Sequence, residues 1–173
     1  MFSTKKLCRA GIISALYVAL TLIFAPFAFG PIQVRPAEAL CILPLFFPEA
    51  VLGLFVGCAL SNLASPFVLY DVCLGAGATL LAGLSTYFIG KKINHTALKI
   101  TVGGIFPVLF NALIIPFIIV VLCGDTAGHT SAGIAYVTYA VSIFATEAVW
   151  VYGLGTPLYL SVKKLQKTST FFK

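Results

Sequence analysis

The chain has 173 residues, 60% of them hydrophobic and 9% charged, with a mean hydropathy of +1.06 and a formal net charge of +6. Soluble domains carry about 25% charged residues. The composition therefore excludes a soluble domain and fits a polytopic membrane protein with room for about six spans of ~20 residues. The basic balance reflects lysines at segment ends and implies a lipid bilayer rather than nucleic acid as the surrounding partner.

Taken in order, the apolar runs predict an all-α membrane protein, one integral domain over 1–173, with helices at about 9–29, 37–47, 48–64, 70–90, 99–122 and 133–162. Lys5, Lys6 and Arg9 precede the first run. No small-residue cleavage site follows it, so it is expected to be the first span and not a removable signal peptide. Next comes Phe29 to Leu40, which holds Gln33, Arg35, Glu38 and two prolines. A polar segment with two prolines cannot lie in lipid as a helix, so it sits at a surface or lines a cavity. Pro36 suits the first turn of a helix, and Glu38 in that turn meets the positive end of the helix dipole. This segment is read either as a capped helix start with a local Arg35–Glu38 pair or as a loop closing over a polar solute.

Pro44, Pro48 and Glu49 break the apolar run 37–64 and decide the topology. As one kinked helix, it would leave Lys91, Lys92 and Lys99 on the opposite side from Lys5 and Lys6. As two helices it gives six spans and puts every lysine on one side, which the positive-inside rule favours, with both termini cytoplasmic. That inner side then holds ten of the eleven basic residues and Glu49, while Arg35 faces Glu38, Asp71, Asp125 and Glu147 on the outer half. The outer half attracts a cation. The second helix is too short to span upright and is expected to be buried among its neighbours.

Small residues mark close helix contacts: Gly53, Gly57 and Ser61 on the third helix, and Gly75, Gly77 and Gly83 on the fourth. On the first helix, Ala15 and Ala19 form an AxxxA pattern, read either as internal packing or as a docking face for another membrane subunit.

Glu147 is the costliest residue in the chain, since an ionisable group within a span is a functional-site candidate. Counting along the helices places it about 24 Å, and Asn111 about 18 Å, from the inner edge, so the two can face each other. Trp150 is three residues on, and a carboxylate beside an indole suits a flat ring with N–H donors. The alternative for Glu147 and Asn111 is a buried pair that fixes helix register. Asp71 is expected to cap the fourth helix and secondarily to face a cationic ligand. Asn62 can line the same cavity as Glu38. The five cysteines form no CxxC pair and are read as small apolar fillers, and His95 and His129 have no ligand-spaced partners, so no metal site is expected. GxSxG, HExxH and P-loop signatures are absent, so no catalytic residue and no ATP hydrolysis are expected.

The run Phe29 to Leu40, then Pro48 to Leu54, Gly57 to Leu63, and Asp71 with Gly75 to Thr79, resembles the queuosine-precursor transporter (QueT type) family. That family is similar to the substrate-binding S components of energy-coupling-factor (ECF) transporters. The resemblance implies a six-helix bundle, a transmembrane coupling subunit and two ATPase subunits as partners, and no cofactor in this chain. It also implies that Ala15 and Ala19 contact the coupling subunit. The implied substrate is a 7-deazaguanine such as the 7-aminomethyl form. Glu147, Asn111 or Gln33, Trp150, and Glu38 or Asp71 supply its acceptors, donor, ring platform and second carboxylate, with Arg35 and Asn62 in the same outer region. The rival readings are an S component for another flat vitamin or nucleobase-like compound, a stand-alone proton-coupled carrier, and a membrane scaffold.

Overall fold

The structure is a computed structural model that describes residues 3–29 and 32–168. Among these residues every regular element is helical. Four helices are long and apolar enough to cross a membrane: α1 (Thr4–Ile23), α4 (Val68–Lys92), α5 (Thr96–Leu122) and α6 (Ala132–Gln166). Two shorter apolar helices, α2 (Pro36–Leu45) and α3 (Glu49–Ala64), lie between α1 and α4. The break expected near Pro48 is present, and the chain turns there between α2 and α3. The first helix begins five residues earlier than the expected 9, which brings Lys5 and Lys6 onto it. It ends at Ile23, because Pro26 has no amide to continue the ladder and instead opens a short turn, Ala25–Ala28.

The bundle is built around α2. All ten of its residues are buried, and it touches α1, α3, α4, α5 and α6. Its sequence is apolar all round apart from Glu38, the pattern of a core helix. It is a 3-10 helix, so its ten residues rise about 2.0 Å each and reach ~20 Å, about a third farther than an α-helix of that length. Its Leu45 end is gripped by glycines of α4 and α5. A Cβ added at Gly90 would lie 3.0 Å from the Leu45 backbone, and one at Gly103 would lie 2.8 Å from the Leu45 side chain.

The closest helix pair is α1 with α3. A Cβ at Gly53 would stand 2.6 Å from the Ala10 carbonyl oxygen, and one at Gly57 would stand 2.9 Å from Tyr17 Cβ. The small-residue reading of the third helix therefore holds. On α4 it holds only in part: Gly75 and Gly83 have close neighbours, whereas Gly77 faces open space. Each of α4, α5 and α6 contains a π-helical segment, at Asp71–Gly75, Phe117–Leu122 and Val149–Leu154. Such segments widen the turn and shift the side chains that follow around the helix.

Candidate binding site

Two polar clusters lie inside this apolar bundle. The first gathers around Arg35 and Glu38. Arg35 ends the loop that returns from α1, and Val34 N–H donates to the Phe27 carbonyl (2.9 Å), tying the loop to the preceding turn. Arg35 is buried, and its guanidinium lies over the rings of Phe29 (5.8 Å) and Tyr17 (5.9 Å). Its Nη2 lies 3.2 Å from Tyr17 Oη, 3.3 Å from Asn62 Oδ1 and 3.8 Å from Cys58 Sγ, and its Nε is 3.8 Å from Glu38 Oε1. The Tyr17 hydroxyl donates to Glu38 Oε1. Cys41 Sγ is 3.1 Å from the other Glu38 oxygen. This contact follows from the 3-10 winding, in which residues three apart eclipse.

Helix register explains who meets here. On α1, Ile13, Ser14, Tyr17 and Thr21 form the buried stripe, so the Tyr17 hydroxyl enters the core and takes a partner there. On α3, Cys58 and Asn62 are four apart and share a face, with Asn62 Nδ2 3.5 Å from Cys58 Sγ. The same amide donates to the Asp71 carbonyl (2.7 Å) at the start of the π segment, joining α3 to α4. Thr79 Oγ1 is 3.2 Å from Cys58 Sγ. Asp71 does not cap α4, which begins three residues earlier at Val68. Its carboxylate instead accepts from the Ser65 hydroxyl, and Ser65 Oγ in turn accepts from Phe67 N–H (3.0 Å).

The second cluster is Asn111 with Glu147. Asn111 Nδ2 donates to Glu147 Oε1 at 3.1 Å across α5 and α6, and both residues are buried. The depth count along the two helices anticipated this meeting. Glu147 lies within Coulombic reach of Glu38 and Arg35. Gln33 is also buried. Gln33 Oε1, Arg35 Nε and Glu147 Oε2 are enclosed and make no hydrogen bond. An enclosed polar atom left unpaired costs about 1–3 kcal/mol. Trp150 is half-buried and lines a shallow cleft with Val34, Ala145, Thr146 and Val149 at the edge of the loop. The π segment that begins at Val149 turns it there.

Sequence reasoning missed Tyr17, Cys41, Cys58, Ser65 and Thr79. Cys41 and Cys58 belong to the polar network and are not mere fillers. The signal for Tyr17 was present: a tyrosine hydroxyl in mid-span needs a partner. The cysteines carried none beyond their spacing from Glu38 and Asn62. Ala15 and Ala19 lie on the opposite side of α1 from Tyr17. Both are exposed, and with Gly11, Gly53 and Val56 they line an apolar groove of about 660 Å3 between α1 and α3. Among the described residues no group of three or more His, Cys, Asp or Glu has the arrangement of a metal site.

An all-helical bundle with four membrane-length apolar helices, and with Gln33, Arg35, Glu38, Asn62, Asn111 and Glu147 buried inside it, is a membrane protein with a polar interior. The chain belongs to the QueT transporter family, whose model matches residues 7–164. It is 34% identical over 80 residues to the queuosine precursor transporter QueT of Lactococcus lactis subsp. cremoris (strain MG1363). That match covers 45% of this chain and 47% of the relative, so the chain is matched over about half of that protein's length. Family and relative are transporters and not enzymes. No solved structure matches the chain significantly.

Proposed function

We propose that this chain is the substrate-binding membrane subunit, the S component, of an ECF-type importer, and that its cargo is a queuosine precursor, a 7-deazaguanine such as the 7-aminomethyl form. The observation that carries the reading is that three enclosed polar atoms of this site make no hydrogen bond: two acceptors, Gln33 Oε1 and Glu147 Oε2, and one donor, Arg35 Nε, which is ion-paired to Glu38 at 3.8 Å. A 7-deazaguanine offers ring and exocyclic N–H donors to the acceptors and a carbonyl to the donor. Glu147 takes the N–H edge, with Asn111 holding its other oxygen. Arg35, fixed by Tyr17 and Asn62, or Gln33 meets the carbonyl. One guanidinium stands against two carboxylates, Glu38 and Glu147, and the surplus negative charge suits the ammonium of the aminomethyl group. Asp71 adds a carboxylate beside Asn62, and Trp150 shares a cleft with Val34, next to Gln33 and Arg35 in the chain.

In this reading the chain crosses the membrane six times with both termini in the cytoplasm, since that arrangement alone gathers the lysines on one side. The groove at Ala15 and Ala19 receives a helix of the coupling subunit, which two ATPase subunits drive. The exposure of both alanines beside Gly11 supports this, because small side chains let a partner backbone approach closely. The test has two arms. Calorimetry on the solitary protein with 7-aminomethyl-7-deazaguanine should give one saturable site. Uptake of the same compound by cells should require the coupling and ATPase subunits. Uptake by this chain alone would overturn the S-component role, and absence of binding would overturn the cargo.

A further inference from the structure

Away from the polar site, a second cavity of about 400 Å3 opens between α1 and α6. Its walls are Leu16 on α1 and Leu158 and Ser161 on α6, and its floor is Leu40 and Leu43 of the central helix α2. Leu40 and Leu43 are themselves buried, packed with Ile13 of α1 and Val162 of α6, so the cavity lies over a covered α2. Water is a poor filler, because a bound water needs two to four polar partners and these walls are apolar.

One charged residue lines the cavity, Arg9, which is 9% exposed. Its Nη2 pairs with Glu49 Oε1 at 2.9 Å and its guanidinium lies 4.8 Å from the Phe47 ring centre, while its Nε is enclosed without a partner. A guanidinium has five donors, so one that pairs with a carboxylate still has others to give. Arg9 lies on the first turns of α1, and the cavity follows α6 down to Leu165, so among the described residues Lys5 and Lys6 of α1 and Lys164 of α6 lie at the same end of these helices as Arg9. Basic pockets between membrane helices recognise anionic lipid headgroups.

We propose that this cavity is a binding site for one anionic phospholipid. An acyl chain lies along the face of Leu16, Leu158 and Leu165, and the headgroup phosphate sits at the Arg9 end, by the start of α1.

The test is native mass spectrometry of the full chain in neutral detergent micelles doped with phosphatidylglycerol or phosphatidylcholine of the same acyl chains. The wild type should retain one phosphatidylglycerol about tenfold more tightly than phosphatidylcholine, and millimolar inorganic phosphate should not displace it. Ser161→Trp, at an exposed position, should fill the cavity and abolish retention of both lipids without lowering the unfolding temperature in lipid-free micelles. The double variant Arg9→Gln, Glu49→Gln removes the charges as a pair and should erase the preference between headgroups while keeping the acyl chain. Equal retention of the two lipids by the wild type overturns the proposal. So does unchanged phosphatidylglycerol binding by a folded Ser161→Trp, and so does a lipid-free dimer, which would assign the cavity to a second copy of the chain.

Discussion

At the residue scale, Glu147 has one oxygen held by Asn111 and the other enclosed without a hydrogen bond. A structural pair would ordinarily satisfy both. Each charge-assisted hydrogen bond contributes roughly 1.5–3 kcal/mol, so Glu147→Gln should weaken ligand binding about ten- to a hundredfold or more by calorimetry. It keeps the shape, and its melting temperature should hold. A variant that folds and binds as tightly as the wild type would return Glu147 to a register-fixing role and leave Glu38 as the leading carboxylate. Tyr17 gives a second reading of the same site. Tyr17→Phe removes the donor to Glu38 and a neighbour of Arg35 while keeping the ring, and should cost about 0.5–1.5 kcal/mol of stability in chemical denaturation. An unchanged midpoint would mean that water replaces the hydroxyl.

At the element scale, α1 serves two faces, with Tyr17 on the buried stripe and Gly11, Ala15 and Ala19 on the open groove. On the proposed docking role of this groove, Ala15→Trp or Ala19→Trp should abolish copurification with a coupling subunit while leaving ligand binding intact. Loss of binding together with docking would show that bulk on this face disturbs the bundle. The α1–α3 contact makes its own prediction. A methyl group at Gly53 meets the Ala10 backbone, which cannot swing away, so Gly53→Ala should destabilise by roughly 1–3 kcal/mol in thermal unfolding. Gly77→Ala has open space and removes a poor helix former, so it should be neutral or stabilise by up to about 1 kcal/mol. Equal effects of the two would place the close contact elsewhere.

At the scale of the whole molecule, orientation is the testable quantity. Asn94, between α4 and α5, and Thr130, between α5 and α6, are exposed at opposite ends of α5. In a background without the exposed Cys8 and Cys73, cysteines at these positions should label from opposite sides of the membrane, Asn94 from the cytoplasm. Labelling from one side would remove a crossing. Thr130 serves better than Gly128, whose φ of +79° strains any side chain.

The sequence by itself determined the membrane class, the break that makes two short helices out of 37–64, the placing of Glu38 in a first turn, and the meeting of Asn111 with Glu147. Composition decides what is buried in lipid, prolines decide where a helix must stop, and rise per residue converts position into depth. What only the tertiary structure decided is which side chains converge around Arg35, and which way Trp150 and Asp71 turn. Those outcomes depend on the rotation of each helix about its axis. Packing between segments far apart in sequence sets that rotation, and the 3-10 winding of α2 and the π segments of α4 and α6 change it by fractions of a turn that no apolar pattern records.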